Sequence, residues 1–129
     1  MMDRFWIAFA ALAGAVGALG DAVIRHLVSD PEQIEFGITA ARYGMIHALA
    51  LLGVALLWNR DDYYAPGFWL PAAGWCFVVG QLLFSGSLYA FAFGVAPGWA
   101  GLLTKPGLGF FVLGWLALFL HAMFSRRQQ

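Results

Sequence analysis

From residue 63 to residue 104 the chain runs 42 residues without an Asp, Glu, Lys, Arg or His. Soluble domains carry roughly 25% charged residues, so a stretch of this length has no place on a water-facing surface. Runs 5–20, 43–59 and 106–125 likewise lack acidic residues, Lys and Arg. A helix needs about 20 mostly apolar residues, at 1.5 Å rise each, to cross a bilayer. The runs therefore predict four transmembrane helices near 4–27, 38–58, 68–93 and 107–125. No segment shows the alternating ten-residue pattern of a membrane β-barrel strand.

Composition then closes off the soluble classes. The 129 residues are 62% hydrophobic and 11% charged, and a small soluble fold has too poor a surface-to-volume ratio to hide so much apolar area. Seven Lys/Arg balance seven Asp/Glu, which leaves no field to attract a polyanion and excludes a basic nucleic-acid binder. Cys76 is the single cysteine, so an intrachain disulfide is impossible. The expected fold is an all-α integral membrane protein: one membrane domain over 1–129, an antiparallel four-helix transmembrane bundle. The lipid bilayer is its expected partner. Arg4, the apolar run and Ala18-Leu19-Gly20 also fit a secretory signal; the segment is read here as a retained span.

The links carry their own signals. Ser29-Asp30-Pro31-Glu32 reads as a helix start, with Ser29 capping, Pro31 in the first turn and Glu32 closing a capping box. Ile34, Ile38 and Ala41 share a face, predicting a short interfacial helix between spans 1 and 2. Tyr63, Tyr64, Phe68 and Trp69 form an aromatic belt. Pro97-Gly98-Trp99 and Lys105-Pro106-Gly107 are turn signals before the last span. Arg4, Arg60, Arg126 and Arg127 against Arg25, Arg42 and Lys105 place both termini in the cytoplasm under the positive-inside rule.

Small residues recur four apart in two spans: Ala10, Gly14 and Ala18 in the first, with Ala13 and Gly17 beside them, and Gly86, Ala90 and Gly94 in the third. Such spacing lets helix backbones approach closely in lipid. Packing within the bundle is the ordinary use; contacts with a second copy are the other.

Parts of the chain resemble a known family. Arg42-Tyr43-Gly44-Met45-Ile46-His47-Ala48-Leu49-Ala50-Leu51-Leu52 is similar to the "RYQMYHALALL" segment of the domain of unknown function 423 family, which includes small bacterial inner-membrane proteins and the eukaryotic transmembrane protein 256. Ala73-Gly74-Trp75 and Leu83-Phe84-Ser85-Gly86-Ser87-Leu88-Tyr89 resemble its "AGWLF…LFSGSLY" helix, and Leu113-Gly114-Trp115-Leu116 its last span. Two loops depart from the pattern. Asp21-Ala22-Val23-Ile24-Arg25-His26-Leu27 stands where "FGAHGL" is usual, and Thr104-Lys105-Pro106-Gly107 replaces "TPLGG". The resemblance implies a four-span protein of unassigned activity in the bacterial cytoplasmic membrane.

The polar residues that fall inside or beside spans are the candidate site. Asp21, Arg25 and His26 end the first span; Arg42, Tyr43 and His47 open the second; Ser85, Ser87 and Tyr89 lie in the third. Ionisable groups at these depths need a cavity or a partner, so the nine are expected to converge as an outer polar patch. Within it Asp21 and Arg25, four apart on one helical face, can pair locally; the sharper expectation is that Asp21 instead reaches Arg42 across the helix gap. Gln81 is expected to bond a neighbouring helix. His47 and His121 fall in opposite leaflets, roughly 20 Å apart at 1.5 Å per residue, which argues against a haem held between them. No catalytic motif, metal-ligand pair or cofactor-binding signature is present. The leading reading is a structural or accessory subunit, packed as a homo-oligomer or in a larger membrane complex. The alternative is an oligomeric conduit or binding protein for a small solute, ion or proton that uses the patch.

Overall fold

A computed structural model describes residues 1–60 and 67–124. Four helices in it are long and apolar enough to cross a membrane: α1 Met2–Leu27, α2 Pro31–Arg60, α3 Trp69–Ala92 and α4 Gly101–Phe124. They run up and down in chain order. α1 packs chiefly on α2 and α4 chiefly on α3, while α2 and α3 face each other in the middle. Tyr63, Tyr64, Arg126 and Arg127 lie outside the described residues.

The expected interfacial helix is helical but not separate. α2 is continuous from Pro31 to Arg60, about 45 Å at 1.5 Å per residue, so its first turns stand beyond the hydrocarbon and the rest crosses it. No proline follows Pro31 in this stretch, and a bend there would orphan backbone groups on both sides. The cap also differs: the Asp30 carboxylate, not Ser29, accepts the backbone N–H groups of Glu32 (2.9 Å) and Gln33 (3.1 Å). Pro31 follows at the first helical position, where its missing N–H costs nothing. Gly37 lies where the Ile24 side chain from α1 crosses α2, leaving no room for a Cβ.

The last span begins six residues earlier than its turn signals suggest, and Pro106 lies inside it. So near a helix start a proline forfeits about one hydrogen bond rather than ending the helix. Gly107 beside it brings α4 against the main chain of α3: a Cβ there would sit 2.5 Å from the Phe84 nitrogen. At this level α3 contains a π-helical turn, Gln81–Ser85, an irregularity often found at functional sites.

Both small-residue stripes are corrected in part. Gly86 is exposed, and a Cβ on it would meet nothing within 4 Å. Gly94 is a helix stop: its φ is +67°, and the Gly94 and Val95 N–H groups return to the Phe91 (3.1 Å) and Ala90 (3.0 Å) carbonyls, a Schellman pattern. In α1 the face toward the bundle is Trp6, Ala10, Ala13, Gly17 and Ile24. Ala18 is exposed, and Gly14 has open space at its Cβ. Of the small residues grouped on this span, Ala10, Ala13 and Gly17 face the bundle while Gly14 and Ala18 do not, since steps of three and four follow the 3.6-residue period more closely than strict fours.

Candidate functional site

The nine polar candidates do not converge; they divide among three places. At the end of α1, Arg25 Nε donates to Asp21 Oδ2 at 3.0 Å, with both side chains partly exposed. This is the local four-residue pairing available to any helix. Arg42 is exposed and makes no ion pair among the described residues, so the Asp21–Arg42 contact does not form. The physical reason is reach: Asp21 has a partner one turn along its own helix, and Arg42 extends outward, where its stem can snorkel. His26 is exposed as well.

Tyr43 and His47 belong instead to an aromatic layer across the middle of the bundle. His47 is 6% exposed and stands near the centre of α2, not near its start, because that helix begins at Pro31. Its ring lies parallel to Phe111 of α4, centroids 3.5 Å apart at 6°, with Phe77 tilted against it. Tyr43 packs on Phe84 at 4.8 Å. Hydrogen bonds define the tautomer. Trp115 Nε1, which can only donate, lies 3.2 Å from His47 Nε2, so that nitrogen accepts. His47 Nδ1, 2.7 Å from the Tyr43 carbonyl, therefore carries the proton. Both ring nitrogens are engaged by protein, and the imidazole is neutral.

His121 is buried six residues beyond Trp115 on α4, about 9 Å along the axis at 1.5 Å per residue. The two histidines are thus nearer than the expected leaflet separation. What argues against a shared haem is the engagement of both His47 nitrogens. Trp115, Phe111 and Phe77 are not among the candidate site residues that the sequence offers, since no local spacing links a histidine to a tryptophan 68 positions away.

The two serines of α3 differ. Ser87 Oγ donates to the Phe84 carbonyl at 2.9 Å and hence accepts from Thr104 Oγ1 of α4 at 2.8 Å. Ser85, 2% exposed, has no partner for its hydroxyl, and neither does Gln81 Oε1. The expectation that Gln81 bonds a neighbouring helix is overturned: its amide occupies the space left by Gly44 on α2 without an acceptor or donor opposite. Gln81 and Ser85 line a cavity of about 200 Å³ between α1 and α3, walled by Phe9, Leu12, Val16 and Leu82. Tyr89 flanks it, its hydroxyl making a long 3.4 Å bond to the Val16 carbonyl.

Four apolar helices joined by short links and closed at mid-depth by stacked rings define a small polytopic membrane protein. The chain belongs to the family described as "Protein of unknown function (DUF423)", whose profile matches residues 13–109. It is 34% identical over 121 residues to a UPF0382 membrane protein of Haemophilus influenzae, covering 91% of this chain and 92% of that one. With the UPF0382 inner membrane protein YgdD of Escherichia coli it shares 31% identity over 134 residues, 99% and 96% of the two chains. With the membrane protein YwdK of Bacillus subtilis it shares 32% over 114 residues, 88% and 89% covered. No solved structure matches the chain. The family has no assigned activity.

Proposed function

We propose that the protein is a non-enzymatic accessory subunit that works by helix-to-helix association in the cytoplasmic membrane, with both termini on the cytoplasmic side. The observation that carries this reading is the outward face of α1. Ala8, Ala11, Ala15, Ala18 and Ala22 are all exposed there and recur at alternating steps of three and four, a smooth stripe on which another transmembrane helix seats closely. The inner membrane named for the Escherichia coli relative supports the location, and the Arg4 and Arg60 ends support the orientation. The aromatic layer and the satisfied His47 favour this over a conduit, which needs polar groups facing a continuous passage.

Replacing Ala15 with Leu tests it. The side chain projects away from the bundle, so thermal stability should hold, while the assembly seen by native mass spectrometry from mild detergent should fall to the monomer. A monomeric wild type overturns the proposal. So does an ion flux in reconstituted vesicles above that of protein-free ones.

A further inference from the structure

The end of the bundle that carries the α1–α2 and α3–α4 links is charged on one side and apolar on the other at the same height. Contacts fix that height: Ile24 of α1 lies against Gly37 of α2, Phe36 of α2 against Phe91 of α3 at 5.4 Å between ring centroids, and Phe91 against Gly101 of α4. On α1 and α2 this level is bracketed by charge. The Asp21–Arg25 pair straddles Ile24, Glu35 is exposed beside Phe36, and Arg42 is exposed further in. On α3 and α4 the level and the turn beyond it are uncharged: Phe93, Val95, Trp99 and Leu102 are exposed there, Val95 at 72% and Leu102 at 75%. The two halves therefore differ in apolar length. The charge-free runs 5–20 of α1 and 43–59 of α2 measure about 24 and 26 Å at 1.5 Å per residue. α3 is without charge over all 24 of its residues, about 36 Å.

We propose that the α3–α4 turn, 93–102, is seated in lipid, so that the membrane surface steps across the protein and lies about 10 Å further out beside α3 and α4 than beside α1 and α2. The step is the rise at about 1.5 Å per residue from Asp21, three residues inside the shared level, to Val95, four residues outside it. Lipid is the occupant that suits this turn. Its exposed apolar side chains continue the outward flank of the same two helices, where Leu82, Leu108 and Val112 are exposed. Lipid offers backbone groups no water to bond, and the N–H groups of Phe93, Gly94, Val95, Ala100, Leu102 and Leu103 are all taken up by carbonyls of the turn or of the end of α3. Pro97 has no N–H to satisfy. Trp99 brings the amphipathic ring that favours the headgroup level. Lys105, one turn inside Gly101 and exposed, can extend outward along the flank to the surface, as long cationic side chains do. Around a hydrocarbon core of about 30 Å, the short α1–α2 side then thins the bilayer and the long α3–α4 side thickens it. None of the residues in the turn belongs to the alanine stripe of α1.

Nitroxide labels on the full chain in phosphatidylcholine nanodiscs test the proposal. In a Cys76→Ala background, single cysteines replace Val95, Leu102 and His26, all exposed, so that no packing is disturbed. His26 lies two residues beyond Ile24 and is nearer the bundle centre than Val95. Power saturation then compares collisions with oxygen, which concentrates in lipid, and with a water-soluble nickel chelate. Oxygen should dominate severalfold at Val95 and Leu102, and the chelate at His26. Chelate dominance at Val95 and Leu102 would put the turn in water and overturn the proposal. Exclusion of both reagents there would mean that protein, a second copy included, covers the turn, and would overturn it too. The unsubstituted chain gives a second reading by hydroxyl-radical footprinting in the same nanodiscs. Trp99 should be oxidised no faster than Trp75, which is exposed in the middle of α3; severalfold faster oxidation of Trp99 contradicts burial in lipid.

Discussion

An alanine at position 107 would place its methyl carbon 2.5 Å from the Phe84 nitrogen and 2.9 Å from the Phe84 Cα. Favourable contacts begin at about 3.5 Å, so α3 and α4 would have to part by about 1 Å at this point. The obstructing atoms are main chain in a π-helical turn, and no rotamer change relieves them. Overpacking of this kind costs about 1–3 kcal/mol, and a rigid obstacle selects the upper half of that range. Alanine recovers about 1 kcal/mol of helix propensity over glycine, leaving a net loss of about 1–2 kcal/mol. Gly86→Ala is the matched control. It carries the same propensity gain with nothing within 4 Å to oppose it, and should stabilise by about 0.5–1 kcal/mol. Unfolding by titration with SDS in mixed micelles, followed by circular dichroism, compares both variants with the wild type. If Gly107→Ala is as stable as the wild type, or less perturbed than Gly86→Ala, the close α3–α4 contact is wrong.

Further outcomes follow from the same geometry. Ser87→Ala breaks the relay from Thr104 to the Phe84 carbonyl and should cost about 1–2 kcal/mol, while Ser85→Ala removes a hydroxyl without a partner and should leave stability unchanged or raised. Equal losses for the two serines would contradict the hydrogen-bond assignment. His47→Phe keeps a ring over Phe111 and forfeits two hydrogen bonds, at about 1–2 kcal/mol. His47→Ala empties the layer and should lose about 2–4 kcal/mol, as for other large-to-small core changes; an alanine variant no worse than phenylalanine would sink the stacked arrangement. A double-mutant cycle in nanodiscs between Asp21 and Arg42 should give coupling indistinguishable from zero. The cycle between Asp21 and Arg25 should show a weak coupling that fades with added salt, and a strong Arg42 coupling would restore the pairing that the structure does not make.

Membrane class, span number and most of the helix positions were legible because they depend on local quantities. A run without charge must avoid water wherever its neighbours lie, and Asp30-Pro31 starts a helix by contacts within one turn. The Asp21–Arg25 pair is local in the same way. Family membership was legible too, from blocks such as Leu83-Phe84-Ser85-Gly86-Ser87-Leu88-Tyr89.

What each polar or small side chain faces depended on how the helices are rotated about their axes, and only tertiary packing decides that. Gly86 and Gly107 are both glycines inside spans, yet one looks into open space and the other against a backbone. Ser85 and Ser87 stand two residues apart in one motif, yet only Ser87 meets Thr104. The π-helical turn compounds the difficulty, since its extra residue shifts the face of everything after it and no local spacing announced it. Charge and hydrophobicity choose the solvent for a segment on their own; a contact needs the other helix in place before it exists.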